Sequence, residues 1–339
     1  MTPATAKSHL SLLHDGALVV TVDDALLPLV RPWLPLHAEP SAKVHAGQEH
    51  GAVIDVTTGT DVGDADDATD DAPALVLFAG VRARELPDEA IALTGASAAR
   101  GLISLVARRA RIAPPPAPRD ESAETRLPAD VYAMLTLCAA FLVGRLGGAL
   151  VHAGAVVDPE GRAWLLAGDT HAGKTTTCVS LVDAGWSFLA DDQVVLRRDD
   201  AGELVAEGWP RHAHLDEGWS DSVVTGTRAA LDLRARWGDR WRRRAPVGGM
   251  LFPDVAADAP TSVSPVHAAT AFAALVRQSP WLMADRGAAP VVLDLLREAS
   301  DRPAFALTLG RDGYARGDVI AERLAPALQT PPTGQSRRR

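Results

Sequence analysis

Cysteine is nearly missing from this chain, with two in 339 residues, Cys138 and Cys178. That excludes a disulfide framework and any zinc site of the paired-cysteine kind. Both cysteines lie in apolar stretches of helical pattern and read as small hydrophobes. A basic excess is missing too: 34 Lys and Arg face 43 Asp and Glu, for a net charge of −9. This argues against a dedicated nucleic-acid binder, because only local arginine clusters can offset phosphate repulsion. The best candidate for a membrane span, Val131 to Leu150, is interrupted by Arg145 and reads as a buried core helix. The opening MTPATAKSHLSLLHDG lacks the apolar centre of a secretory signal. A cytoplasmic location with no membrane partner is therefore expected. No internal repeat is evident. What remains is a chain 47% apolar, long enough for one large or two modest domains with real cores.

Residues 1–112 are strand-rich and helix-poor. GALVVTV, GAVIDVT and PALVLFA are short apolar runs bounded by Gly, Asp and Pro, which predicts a small strand-rich N-terminal domain without a catalytic constellation. Between the last two runs, TDVGDADDATDDAP holds six aspartates but not the spacing of a calcium loop, and reads as a solvated acidic loop. Residues 113–130, APPPAPRDESAETRLPAD, are proline-rich, then charged, and aperiodic: a linker. A helix is predicted over 127–146, with Pro128 in its first turn and Gly147-Gly148 ending it.

The region 131–328 alternates strand and helix patterns. A strand is expected at Leu204 to Trp209, another at VGGMLFPDV, a helix over SPVHAATAFAALVRQSPWLM beginning near Ser264-Pro265, and another over APVVLDLLREASD. A last strand, PAFALTLG, and a last helix, DVIAERLAPAL, precede a polar tail, 329–339, expected to be disordered. In 228–244, RAALDLRARWGDRWRRR, seven arginines are interleaved with two tryptophans. Three readings stand: a solvated or interdomain surface, a contact for phosphate or an acidic substrate, and a nucleic-acid surface. Charge runs of this kind favour the first.

The chemistry concentrates in AWLLAGDTHAGKTTTCVSLVDAGWSFLADDQVVL, from Ala163 to Leu196. Gly168, Asp169, Thr170, His171, Ala172, Gly173, Lys174 and Thr175 fit the phosphate-loop pattern G-x-x-x-x-G-K-S/T, with a short buried strand before them and a helix starting near Lys174. Glycines let backbone N–H groups turn inward around a phosphate chain. The helix start adds the positive end of its dipole, and Lys174 adds a full charge. Thr175 offers a hydroxyl to a magnesium ion, and Thr176 continues the first turn. Upstream, GGALVHAGAVV places His152 between two apolar stretches. Downstream, the strand Trp186 to Ala190 ends in the adjacent carboxylates Asp191 and Asp192.

The stretch VHAGAVVDPEGRAWLLAGDTHAGKTTTCVSLVDAGWSFLADDQVVL, about forty-five residues, resembles the catalytic core of the HPr kinase/phosphorylase superfamily. The shared order is a histidine strand, a phosphate loop, a helix closing in Gly, then Ala-Asp-Asp. A looser likeness in the order of elements runs to Leu324, and the small HPr-kinase-like proteins of peptide natural-product pathways look most similar. The resemblance implies the α/β fold shared with phosphoenolpyruvate carboxykinases, a mixed sheet flanked by helices, here preceded by a smaller strand-rich α+β region. It implies ATP and Mg²⁺ as cofactors and transfer of the γ-phosphoryl group to a hydroxyl. Carried over residue by residue, it makes Asp192 the base, Asp191 with Thr175 the metal side, and His152 the histidine beside the transferred group; the order of the two aspartates stays open. Arg211, in WPRHAHLD, falls at an aromatic-Pro-Arg step and is a candidate substrate or phosphate contact.

Three departures qualify the resemblance. His171 stands where these loops usually have Gly. The chain also has no counterpart of the Glu-Ile-Arg-Gly-Leu-Gly stretch, nor of the later basic loop that receives HPr. Phosphorylase activity and HPr as acceptor therefore do not carry over, and a hydroxyl on a small molecule or peptide is expected instead. Decarboxylation of the carboxykinase kind lacks a readable metal cluster. The competing class is a non-catalytic ATP-binding accessory protein of the same fold. Homo-oligomer formation is left open.

Overall fold

The computed structural model of the chain describes residues 6–34, 51–58, 75–115, 127–209, 213–216, 228–231 and 233–329. The acidic run, most of the linker, Arg211 and residues 330–339 lie outside that set. The chain divides into two compact units: Met1–Leu150 with Pro280–Val292, and Val151–Ser279 with Leu293–Arg339. The division falls at Leu150, after the helix at 129–145.

The first unit is built on a sheet of β1 (Lys7–Ser11), β2 (Leu18–Asp23), β3 (Ala52–Val56), β4 (Leu75–Val76), β5 (Arg82–Leu86), β6 (Ala90–Thr94), β7 (Arg100–Ser104) and β8 (Arg109–Ala113). Their order is β1-β2-β3-β8-β7-β6-β5-β4. The pairs β2–β3 and β3–β8 are parallel, whereas β5 to β8 form an antiparallel meander. A single turn of helix, α1 (Leu27–Val30), follows β2. The run PALVLFA yields only the two residues of β4 as strand. The meander strands instead alternate, as in Arg109–Ala113, charged out and apolar in, the period-2 pattern of a half-buried sheet.

Helix α2 (Ala129–Arg145) is buried on nearly every side, from Asp130 through Gly144 with few exceptions. A helix apolar all round belongs in a core, and no helix among the described residues is long and apolar enough to cross a membrane. Pro128 is its N-cap rather than part of its first turn, so the helix starts two residues later than the expected Leu127, and Gly147 (φ 81°) follows its end. Its few polar groups are partnered. Ser97 donates from its N–H and hydroxyl to the Asp130 carboxylate at 2.7 and 2.8 Å, and the Trp33 indole N–H reaches Thr136 Oγ1 at 3.0 Å.

The second unit's sheet runs from Ser187–Ala190 through Gly154–Val157, Ala163–Leu166, Arg244–Val255 and Leu204–Gly208 to Val194–Arg198. The chain enters the unit within β9 (Ala149–Val151); there follow β10 (Gly154–Val157), β11 (Ala163–Leu166), helix α3 (Lys174–Asp183), β12 (Ser187–Ala190), β13 (Val194–Arg198) and β14 (Leu204–Gly208). A small ribbon, β15 (Ala213–Asp216) with β16 (Arg228–Leu231), precedes helix α4 (Leu233–Trp237). The twelve-residue β17 (Arg244–Val255) is the spine. It pairs parallel with β11 and with β19 (Ala304–Leu309), and antiparallel with β14. Any side chain at its Gly249 would run into the Trp164 ring and the Pro303 carbonyl, so the close approach of three strands requires glycine there.

Helix α3 packs on β10 and β12 and against the last helix, Gly317–Gln329. The sheet is thus mixed and flanked by helices, and a strand-rich region comes before it, as the sequence predicts. The segment from Ser264 differs from expectation. Ser262–Pro265 is a strand, β18, laid antiparallel on β19, and helix α5 (Ala268–Arg277) begins only after His267. The open edge of β19 wins over local helical pattern. The arginine-rich stretch is likewise a strand end and a short helix. Arg236 forks onto Asp183 at 3.2 and 2.5 Å, the Trp237 indole N–H joins the same carboxylate at 2.7 Å, and Trp237 stacks on Phe188. These contacts tie α4 to the end of α3.

In the first unit, Arg145 closes the last turn of α2 with a paired bond to the buried Asp285, Nε to Oδ2 at 2.9 Å and Nη2 to Oδ1 at 2.8 Å. Asp285 Oδ1 also accepts the N–H groups of Gly287 and Ala288. Asp285→Ala therefore strands two amides and removes the buried partner of Arg145, leaving its guanidinium the more exposed Glu89 at 2.7 Å, and should lower stability by about 2–4 kcal/mol in a urea melt. An unchanged midpoint would show that this tie does not hold the segment.

Candidate functional site

All the described residues singled out from the sequence fall in the second unit. Their placement begins with the hairpin between β10 and β11. Asp158, 4% exposed, accepts the Arg162 N–H at 2.8 Å, the Arg162 Nε–H at 2.9 Å and the Trp164 indole N–H at 2.9 Å. That pins the turn and aims β11 at the loop. The Ala167 N–H still pairs with the Leu251 carbonyl at 3.0 Å, and after it the chain leaves the sheet.

Asp169, Thr170 and His171 form the exposed tip of the loop. His171 has φ 67°, a left-handed conformation that costs a non-glycine residue about 1–2 kcal/mol. This explains why glycine suits the position and what the histidine there entails. Gly173, also left-handed at φ 90°, is the N-cap of α3. A Cβ added to it would stand 3.0 Å from Leu309 Cδ1 and 3.1 Å from Val255 Cγ2.

Lys174 turns back from the first position of α3 over its own loop. Its Nζ donates to the carbonyls of Gly168 and Asp169 at 2.8 and 2.9 Å, and the residue is 8% exposed. Burial pulls its pKa below the ordinary lysine value of 10.5, and the carboxylates of Asp192 and Asp191 act against that shift. The adjacent aspartates diverge. Asp191, 5% exposed, accepts the Thr175 hydroxyl on Oδ1 at 2.9 Å. Asp192, with its side chain 47% exposed, places Oδ1 3.7 Å from His152 Nε2. The divergence comes from the backbone, since Asp192 sits at φ 67°, where the chain turns out of β12.

His152 occupies the bend between β9 and β10. Its N–H donates to the Gln278 carbonyl at 2.9 Å, just beyond the end of α5. Beneath the loop, the buried Cys178 thiol lies against Gly154; a Cβ there would come within 2.8 Å of Sγ. Burial raises the thiol's pKa well above its ordinary value, so Cys178 is packing, as expected of a cysteine in an apolar helix.

The structure thus brings Gly168 to Thr176, His152, Asp191 and Asp192 to one mouth of the sheet. Arg211 lies outside the described residues. Three contributors carried no signal in the sequence: the Gln278 carbonyl, and the Val255 and Leu309 side chains against Gly173. Among the described residues no three of His, Cys, Asp and Glu gather to hold a metal. Thr175 Oγ1 and Asp191 are hard oxygen donors, suited to a Mg²⁺ that arrives with phosphate and water ligands of its own. The inward-turned loop, the helix start and the buried ammonium fit a polyphosphate.

Neither a protein-family model nor a curated protein matches the chain. Among solved structures it is similar to the Hpr(Ser) kinase/phosphatase from Coxiella burnetii, at 13% identity over 52% of this chain and 95% of that one, with a TM-score of 0.31. At that level the reading of the site stands on its own geometry.

Because Gly154 and Cys178 share one space, Gly154→Ala should cost about 1–3 kcal/mol. Adding Cys178→Ala should recover part of the loss in a double-mutant denaturation cycle. Strictly additive effects would contradict the contact.

Proposed function

We propose that the protein is a phosphotransferase that uses Mg-ATP and delivers the γ-phosphoryl group to a hydroxyl of a small molecule or peptide. The observation that carries this reading is the convergence on one loop mouth of a buried lysine, a Thr–Asp pair of hard oxygen donors, and a second carboxylate beside a histidine. Phosphoryl transfer needs phosphates clamped, charge neutralised and the acceptor's proton removed. Mg-ATP supplies the transferable group and the metal's charge.

In this reading the backbone of Gly168 to Thr176 cradles the phosphates, and Lys174 exchanges its two carbonyl partners for phosphate oxygens. Thr175 and Asp191 would hold the cation. Asp192, half exposed and facing His152, takes the proton of the acceptor hydroxyl, while His152 fixes the carboxylate and lies beside the transferred group. A protein that only binds ATP needs no such second carboxylate, and this favours turnover over the accessory-protein reading.

Lys174→Met should abolish Mg-ATP binding in calorimetry. Since the lysine must be charged, and burial lowers its pKa, affinity should fall as pH rises and begin to fall below the ordinary lysine range; Lys174→Arg, charged at every accessible pH, should remove that limb. Wild-type affinity in Lys174→Met would end the phosphate-loop reading.

The aspartates should separate. Asp192→Asn keeps Mg-ATP affinity within a few fold while transfer drops by about 10² to 10⁴, the effect of losing a general base. Asp191→Asn instead raises the magnesium requirement, with Mn²⁺ restoring part of the activity. The assay is label transfer from ATP into lysate of the source cells. Parent-rate labelling by both variants would make the pair structural, and a swapped outcome would exchange their roles.

A further inference from the structure

The arginine-rich run lies apart from the phosphate loop, at the other end of α3. Arg240 Nη1 donates to the Val182 carbonyl at 3.3 Å, which leaves about 12 Å of helix between that carbonyl and Lys174. The main chain here is a fixed rail. The Phe188 N–H donates to the Arg240 carbonyl at 2.8 Å, the Arg242 N–H to the Phe188 carbonyl at 2.8 Å, and the Gly208 N–H to the Arg243 carbonyl at 2.7 Å. Exposure alternates along it: Arg240, Arg242 and Arg244 are exposed, Trp241 and Arg243 are half-buried, and Ala245 is buried. That is the two-residue period of an extended chain, so three arginines share one face. Elsewhere in the unit exposed arginines such as Arg198, Arg297 and Arg316 meet carboxylates, those of Asp294, Asp301 and Asp318, at 2.9–3.0 Å. Among the described residues Arg240, Arg242 and Arg244 have no carboxylate partner; Arg240 bonds the Val182 carbonyl, and Arg242 those of Asp239 and Trp241.

We propose that Arg240, Arg242 and Arg244 form a docking strip for an acidic peptide segment of a partner, bound in extended form. Alternate side chains of an extended peptide repeat at about 6.5–7 Å, the spacing of the strip's own arginines, and each guanidinium can fork onto a carboxylate. A rail tied on both sides removes part of the ordering cost that weakens exposed ion pairs. A peptide fits better than a nucleic acid. Trp237 is 8% exposed and stacked on Phe188, and Trp241 is half-buried with its main chain bridged to Phe188, so the strip offers no fully exposed ring on which a base could stack. A chain of net charge −9 also repels a long polyanion, whereas a short acidic segment meets only the local field.

The probe is a fluorescein-labelled peptide with glutamate at alternate positions, Glu-Ser-Glu-Ser-Glu-Ser-Glu, titrated with the full chain by anisotropy in about 50 mM salt. Its glutamine counterpart and a single-stranded thymidine dodecamer are the comparisons. The parent should bind the glutamate peptide about ten-fold or more tighter than the glutamine one, with affinity that falls as salt rises. Arg240→Gln, Arg242→Gln and Arg244→Gln together should weaken it by roughly 5- to 50-fold. The same three replacements at the exposed Arg82, Arg109 and Arg286 of the first unit should leave it within about two-fold, which separates the strip from overall charge. Arg242→Glu alone gives the same direction should the triple variant fail to fold. Equal binding of the two peptides by the parent overturns the strip, as does parent-like binding by the strip variants or an equal loss in the first-unit control. Tighter binding of the thymidine dodecamer than of the glutamate peptide overturns it too, in favour of a nucleic-acid surface.

Discussion

A lysine ammonium taken out of water is the constraint around which the second unit is arranged. Burying an ion costs several kcal/mol unless its hydration is replaced, and here the replacement is built from the loop's own carbonyls, Gly168 and Asp169. Beyond them the loop passes through left-handed turns at His171 and Gly173 before α3 begins. Gly173 in turn must be bare because Leu309 and Val255 stand against it. The loop's shape, the ends of β17 and β19, and the position of the charge are one arrangement.

The carboxylates complete that balance from the other flank. Asp191 and Asp192 partly offset the desolvation of Lys174, yet only Asp191 is itself buried and satisfied by a neighbouring hydroxyl. Asp192 stays half in water. Two adjacent, chemically identical residues thus acquire different environments from a single backbone turn. Environment rather than residue type assigns different roles to paired carboxylates. The same economy appears at His152, whose position is fixed through its main chain by the Gln278 carbonyl, leaving the ring clear of that tie.

Much of this is legible in the sequence, for a physical reason. The loop, its strand and its helix depend on local needs, such as glycine where φ is positive and an apolar run before it, and those needs dictate residue types. The aspartate pair after a strand is legible in the same way. What stays hidden depends on partners far along the chain. Ser262–Pro265 reads as a helix start and becomes a strand because β19 offers an edge. The meander from Arg82 to Ala113 has alternation but no continuous apolar run, and so escapes a search for such runs. The Gln278 carbonyl leaves no trace, since every residue type carries one. Val255 reads as one more strand valine until β17 is seen to end beside the loop. The all-round apolar surface of helix α2 says that it is buried but not in which unit.

The left-handed backbone at Asp192 also acts as a filter on descent. That conformation favours glycine, asparagine and aspartate and penalises other side chains. The fold therefore admits a short list at position 192, and the proton transfer proposed above would admit one member of it. A lineage that abandoned turnover and kept the scaffold would be released from the chemical demand but not from the conformational one. Its position 192 would drift first to Asn or Gly, with little cost in folding, so the residue found there in a related chain separates an active site from a fossil one.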